Sequence, residues 1–178
     1  MKITKLIAVA AAGAMAMASQ SAMAADNATA NATATFVDAL DITKTTDLRF
    51  GSVIKPKVGN SEIYMGSDEV RVVQSGDAVL QTSTSGLASF TVIGGPGIAY
   101  NVQVKGTSGS ANGVTLKGVH GICTGGTAGG TGLNTTNTGC TSYGAGGVKV
   151  GGSIEIAPSS TASGAVNVGT IKVTLAYQ

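Results

Sequence analysis

Few residues of this chain have side chains that could do chemistry, and their spacing does not assemble a catalytic site. The nine acidic residues are scattered, and Asp68 and Glu69 are the one adjacent pair. Neighbours on a strand point to opposite faces, so this pair does not match the facing carboxylates of glycoside hydrolysis. His120, the one histidine, lies between two glycines, and no nucleophile-elbow sequence supplies a serine for a triad. We therefore expect an exposed or partly packed His120, no catalytic residue, no small-molecule substrate and no enzymatic activity.

Glycine-rich and metal-ligating patterns are equally incomplete. The stretch 125–130 (GGTAGG) lacks the lysine and the following helix of a phosphate-binding loop, so it is interpreted as a flexible loop. A structural metal site needs four ligands, which one histidine and one pair of cysteines do not supply. The sequence thus predicts no cofactor and no metal.

The two cysteines, Cys123 and Cys140, are the remaining reactive side chains. An even number of cysteines in an exported chain favours a disulfide over two free thiols. Closing a loop of about 17 residues would stabilise the fold by about 3 kcal/mol in the chain-entropy description.

The first 24 residues predict export. A basic start (Lys2, Lys5) precedes an apolar, alanine-rich run of about twelve residues, which is shorter than the roughly twenty that a membrane span needs. The small residues Ala22 and Ala24 fit a signal-peptidase site with cleavage after Ala24, or alternatively after Ala25. The expected product passes through the periplasm to the cell surface, a fimbrium or the extracellular medium.

The charge of the chain changes when this segment is removed. The sequence has 11 basic and 9 acidic residues, and two of the basic residues lie in the predicted signal peptide. The mature chain is therefore formally neutral, without the basic patch that nucleic-acid binding requires. Charged residues are only 11% of the chain and glycine occurs 27 times, which is typical of surfaces that are covered in an assembly.

Alternating apolar and polar residues dominate the rest of the sequence and predict short strands. The strongest pattern lies in residues 27–36 (NATANATATF), where the alanines and Phe36 share one face. Residues 55–61 are expected to be a loop because Pro56 lacks a donor, and residues 121–147 a Gly/Thr-rich loop that the disulfide restrains. Further strands are expected at 40–43, 48–54, 69–74, 79–82, 87–93, 98–104, 115–119, 148–150, 153–156, 165–168 and 170–177.

These strands predict an all-β chain with an immunoglobulin-like β-sandwich, and a closed barrel is the alternative. Two hairpins are expected, one joining 69–74 to 79–82 and the other joining 87–93 to 98–104. The predicted organisation is a signal peptide (1–24), an N-terminal extension (25–37) and one sandwich domain (38–178).

Three segments resemble, in order, a family of secreted bacterial β-domains catalogued only as a domain of unknown function. They are residues 42–54 (ITKTTDLRFGSVI), residues 87–100 (LASFTVIGGPGIAY), and the closing stretches 150–158 (VGGSIEIAP) and 168–178 (VGTIKVTLAYQ). Together they cover most of the mature chain apart from the disulfide loop. The resemblance implies a fold and no assigned activity.

The mature N-terminus (ATATFVDALDI) also resembles the extension of alpha-class chaperone–usher pilins of the colonisation-factor and common-pilus types. That resemblance implies an incomplete sandwich, completed by the extension of a neighbouring copy in a head-to-tail homopolymer, with a periplasmic chaperone and an outer-membrane usher as partners. The last strand would border the acceptor groove. The implied donor residues are Ala28, Ala30, Ala32, Ala34 and Phe36, and the implied acceptor residues are Ile171, Val173, Leu175 and Tyr177.

The expected function is that of a structural, pilin-like subunit of a bacterial surface filament that polymerises by β-strand donation. A self-complete periplasmic or cell-surface binding domain, with a glycan or protein ligand, is the alternative function. The absence of tryptophan and the low aromatic content of 4% count against glycan binding, because sugar rings favour aromatic platforms.

Overall fold

The computed structural model describes residues 30–123, 132–142 and 145–178. They form twelve strands and no helix, so this part of the chain has no helical segment able to cross a membrane. The predicted all-β class is confirmed. The strands are β1 (Asp41–Thr46), β2 (Val53–Ile54), β3 (Ser61–Met65), β4 (Arg71–Ser75), β5 (Val79–Leu80), β6 (Ala88–Ile93), β7 (Ile98–Ser108), β8 (Ser110–Ala111), β9 (Val114–Cys123), β10 (Asn134–Ser142), β11 (Ala145–Ile156) and β12 (Gly169–Tyr177).

The larger sheet is built around β11, the longest strand. One side of β11 pairs with β6 and, further along, with β3, while its other side pairs with β9, all antiparallel. β1 continues the sheet beyond β6, and β4 continues it beyond β3. β8 pairs with β9, so among the described residues the outer strands of this sheet are β1, β4 and, beyond β9, the short β8.

The smaller sheet has β7 at its centre, with β10 on one side and β12 on the other. A short ribbon of β2 and β5 lies outside both sheets. Buried side chains of β7, such as Val102 and Val104, belong to the same hydrophobic cluster as Val148 and Val150 of β11. The two sheets thus share one core, and the predicted β-sandwich is confirmed. Each such side chain contributes about 1.5–3 kcal/mol when fully buried.

A tight turn joins β8 to β9. Asn112 and Gly113 both have positive φ, 54° and 81°, as a type I′ two-residue hairpin requires. An added Cβ on Gly113 would lie 2.9 Å from the Cα of Ser160, so the position also needs a small residue.

The first predicted hairpin is wrong. β4 pairs with β3, and β5 pairs with β2. The turn residues are used differently, because the Asp77 carboxylate accepts hydrogen bonds from the Lys57 amide at 3.2 and 3.1 Å. The Ser61 hydroxyl likewise accepts from the Ala78 amide at 3.0 Å. These contacts tie the turn to the 55–61 segment instead of closing β4 onto β5.

The second predicted hairpin is also wrong. β6 lies between β1 and β11 in the larger sheet, whereas β7 lies between β10 and β12 in the smaller one. Both sides of each strand are therefore already paired. The connection 94–97 crosses between the sheets at one end of the sandwich.

The prediction of a loop over residues 121–147 is wrong wherever strands form. β9 continues to Cys123, β10 occupies Asn134–Ser142 and β11 begins at Ala145, while residues 124–131 and 143–144 lie outside the described residues. Threonine, which is frequent here, favours strands, and polar residues are tolerated where the backbone is paired in a ladder. Backbone pairing with β7 therefore outweighs the polar composition of β10.

Of the strands predicted near the end of the chain, some form and one does not. β12 confirms the strand expected at 170–177, and β11 joins the two expected at 148–150 and 153–156. No strand forms at 165–168. Residues 36–178 form one compact unit; residues 30–35 belong to a separate unit and have no regular secondary structure.

Candidate assembly site

The last strand, β12, forms the edge of the smaller sheet. It pairs with β7 along its whole length, from Gly169 opposite Ser108 to Tyr177 opposite Tyr100. No described strand pairs with its other side. An edge of this kind presents a row of backbone donors and acceptors that another strand can use.

The inner face of β12 is apolar but only partly covered. Exposure alternates along the strand as its sequence predicts, with the polar Lys172 and Thr174 exposed on the outer face. The inward side chains contact the core yet stay half-buried, whereas Val102 and Val104 on the neighbouring β7 are completely buried. These half-buried residues are Ile171, Val173, Leu175 and Tyr177.

In the larger sheet, β1 forms an open edge near the end of β12. Among the described residues β1 pairs only with β6, and its Ile42 is half-buried against the core, as is the preceding Leu40. At one end of the sandwich this region meets the end of β12, because the Tyr177 hydroxyl donates a hydrogen bond to the Asp38 carbonyl. The open edges of β1 and β12 therefore approach each other at this end of the sandwich.

The proposed donor residues are not paired with this edge. Ala28 lies outside the described residues, and Ala30, Ala32 and Ala34 are exposed in a segment without strand pairing. Phe36, at the start of the compact unit, is 94% exposed. The strand predicted at 27–36 is thus absent over residues 30–36.

The predicted disulfide between Cys123 and Cys140 is confirmed, with a Cα–Cα distance of 5.7 Å. Both cysteines are buried in the core. Cys123 ends β9 in the larger sheet and Cys140 lies in β10 of the smaller one, so the bond joins the two sheets on the side away from β12.

His120 is buried, whereas an exposed or partly packed residue was expected. It is only 5% exposed, and its ring stacks on Tyr64 with 5.3 Å between ring centroids. The strand partner is Gly151, and a Cβ there would lie 2.5 Å from the His120 ring, so the missing side chain makes room for the imidazole. Neither ring nitrogen has a hydrogen-bond partner within the described structure, and burial lowers the pKa of His120.

Tyr64 also marks a groove that sequence reasoning missed. The groove has a volume of about 460 Å³ on the outer face of the larger sheet. The missed signal was the alternation in residues 61–65, where Ser61, Ile63 and Met65 are buried and the residues between them face outward. The groove is lined by Glu62, Tyr64, Gln74, Lys117, Gly118, Gly132 and Ser153.

Two antiparallel sheets around one core, with a half-covered last strand, define an all-β sandwich domain with an open edge. Residues 40–177 match the model of DUF4402, a domain of unknown function. The chain therefore belongs to this family, as the three sequence segments suggested. No curated protein and no solved structure shows significant similarity to it.

Proposed function

We propose that this protein is a structural subunit of a bacterial surface filament that polymerises by β-strand donation. The observation that carries the proposal is the edge strand β12. Its outer side pairs with no described strand, and its apolar face is half-buried. A strand entering beside it would pair the free backbone groups and cover this face at once.

The N-terminal extension has the properties of such a strand. Its alanines alternate with polar residues, and residues 30–35 lie outside the compact unit without a pairing partner among the described strands. Donation of residues 26–37 to the next copy is a head-to-tail contact that does not close on itself, so it produces a fibre.

The donor's small side chains determine where its affinity comes from. An alanine buries a single methyl group, and burial contributes about 0.8 kcal/mol per methylene-sized group. Backbone hydrogen bonds and Phe36, the one large apolar donor side chain, must therefore supply most of the binding free energy. Pockets along the edge need only be shallow.

Export fits the same proposal. The disulfide is typical of an oxidising compartment, and the first 24 residues have the pattern of a secretory signal. An unpaired edge is prone to aggregation, so a periplasmic chaperone would cover it until an usher delivers the donor strand.

The test uses electron microscopy of material sheared from cells that express the full chain or a chain lacking residues 26–36. Two variants of the donor strand serve as test and control. Ala32→Asp places a charge on the donor's inner face, and Thr33→Asp places the same charge on its outer face. We expect filaments from the full chain and from Thr33→Asp only. Filaments from the deleted chain would refute strand donation.

The outer-face groove favours a second candidate function, binding of a saccharide. Tyr64 offers an aromatic platform and Gln74 a hydrogen-bonding amide. The positive charge of Lys117, which lines the groove, is offset by the Glu155 carboxylate 3.6 Å away. Glu62 adds a further negative charge, so a neutral sugar fits better than an anionic one.

An array of neutral and sialylated oligosaccharides tests this second candidate with the mature chain. Binding of neutral sugars that Tyr64→Ala abolishes, and that the control Val72→Ala on the adjacent strand retains, would support it. Equal array signals for Tyr64→Ala and the unaltered chain would exclude the groove.

A further inference from the structure

The Tyr177 hydroxyl joins three separate parts of the chain. It accepts a hydrogen bond from the Gly95 amide at 3.0 Å and donates one to the Asp38 carbonyl. Gly95 lies in the connection that crosses between the sheets, and Asp38 lies between the N-terminal extension and β1.

The position of this hydroxyl is fixed from the β12 side. Tyr177 is paired with Tyr100 of β7, and the next residue, Gln178, donates its amide to the Ala99 carbonyl at 3.2 Å. The Gln178 side chain also donates to Asn101 at 2.8 Å. The last strand is therefore held to its neighbour up to the end of the chain.

The segment before β1 is packed against the same connection. A Cβ added to Gly94 would lie 2.7 Å from the Leu40 side chain and 3.0 Å from the Tyr177 hydroxyl. A Cβ added to Gly95 would lie 2.7 Å from the Val37 side chain. Both glycines thus allow residues 37–40 to approach the backbone closely, beside the tyrosine.

We infer that Tyr177 is a positioning residue that clamps the root of the N-terminal extension to the end of β12. The consequence of this inference rests on the proposed function. In a filament, β12 would accept the donor strand of one neighbour and, through Tyr177, also hold Asp38, which follows the subunit's own donor strand. Filament stiffness then depends on one phenol, because the clamp holds Asp38, close to the point where the extension joins the domain.

The first test examines the clamp itself in the full mature chain. Tyr177→Phe removes the hydroxyl and keeps the ring, and Tyr100→Phe is the matched control because the Tyr100 hydroxyl is buried without a hydrogen-bond partner in the described structure. We expect amide hydrogen exchange at Gly95, which donates to this hydroxyl, to accelerate about fivefold or more in Tyr177→Phe, the factor that loss of one net hydrogen bond produces. The carbonyl carbon of Asp38, which accepts from the hydroxyl, should change its NMR chemical shift in the same variant. An unchanged Gly95 exchange rate and an unchanged Asp38 carbonyl shift would overturn the clamp.

The second test measures the persistence length of filaments by electron microscopy. We expect shorter persistence lengths for Tyr177→Phe than for Tyr100→Phe and the unaltered chain. Equal stiffness would overturn the clamp's role in the filament. If the unaltered chain forms no filaments, the proposed function fails, while the Gly95 exchange rate and the Asp38 carbonyl shift still decide whether Tyr177 forms the clamp.

Discussion

His120 is a buried imidazole whose ring nitrogens have no hydrogen-bond partner in the described structure. Burial lowers its pKa in the folded state, while the unfolded chain titrates near the ordinary value of about 6.5. Below that pH the unfolded state binds the proton more readily, so this residue's contribution to stability is present at higher pH and is lost on acidification.

We therefore predict that the free energy of unfolding falls more steeply between pH 7 and 5 in the natural chain than in His120→Phe. Denaturant unfolding at several pH values measures this. Phenylalanine keeps a ring for the stack on Tyr64 and cannot titrate. Parallel pH profiles for the two proteins would show that His120 does not carry the dependence.

Phe36 tests the donor at the level of one side chain. It is 94% exposed, so Phe36→Ala should leave the unfolding midpoint of the domain unchanged while reducing filament yield. Val58→Ala is the matched control, because Val58 is 79% exposed and lies outside the proposed donor. Quantitative microscopy and thermal unfolding give the two readouts; equal filament yields for both variants would contradict a role for Phe36.

At the scale of elements, the disulfide links β9 to β10 across the two sheets. Replacing both Cys123 and Cys140 by serine should lower the free energy of unfolding by about 3 kcal/mol, because the unfolded chain loses the constraint on a loop of about 17 residues. Urea unfolding measures the loss, with the reduced natural chain as a control. A change below about 1 kcal/mol would mean that strand pairing alone holds β10 in place.

The sequence predicted elements well where alternation and burial agree. β12 was found because its apolar residues alternate along nine residues and face one core. β3 was missed because Pro56 suggested a loop up to residue 61, although burial alternates strictly along residues 61–65. Both hairpins were wrong because strand neighbours in a sandwich are set by tertiary pairing, and local turn residues such as Asp77 can serve other contacts.

The candidate site was predictable only in part. The face of β12 follows from its sequence, but its place at an unpaired edge depends on the order of strands in the sheet. The Tyr177 contacts join residues more than 80 and 130 positions apart along the chain. No local pattern reports such contacts.

At the scale of the whole molecule, the domain is a sandwich in which no described strand pairs with the outer side of β12, and the family match assigns no activity. A donor that folded back onto its own edge would yield a closed monomer. A donor that enters the next copy yields oligomers that can keep growing, because every added subunit brings another open β12 edge.

The most direct test is the mass distribution of the refolded mature chain, residues 25–178, measured by analytical ultracentrifugation with and without a synthetic peptide of residues 25–37. Strand donation predicts a concentration-dependent series of oligomers that the peptide shortens as it occupies the edges beside β12. A peptide carrying Ala32→Asp should leave the series intact. A monomer at every concentration, unaffected by the peptide, would contradict the account.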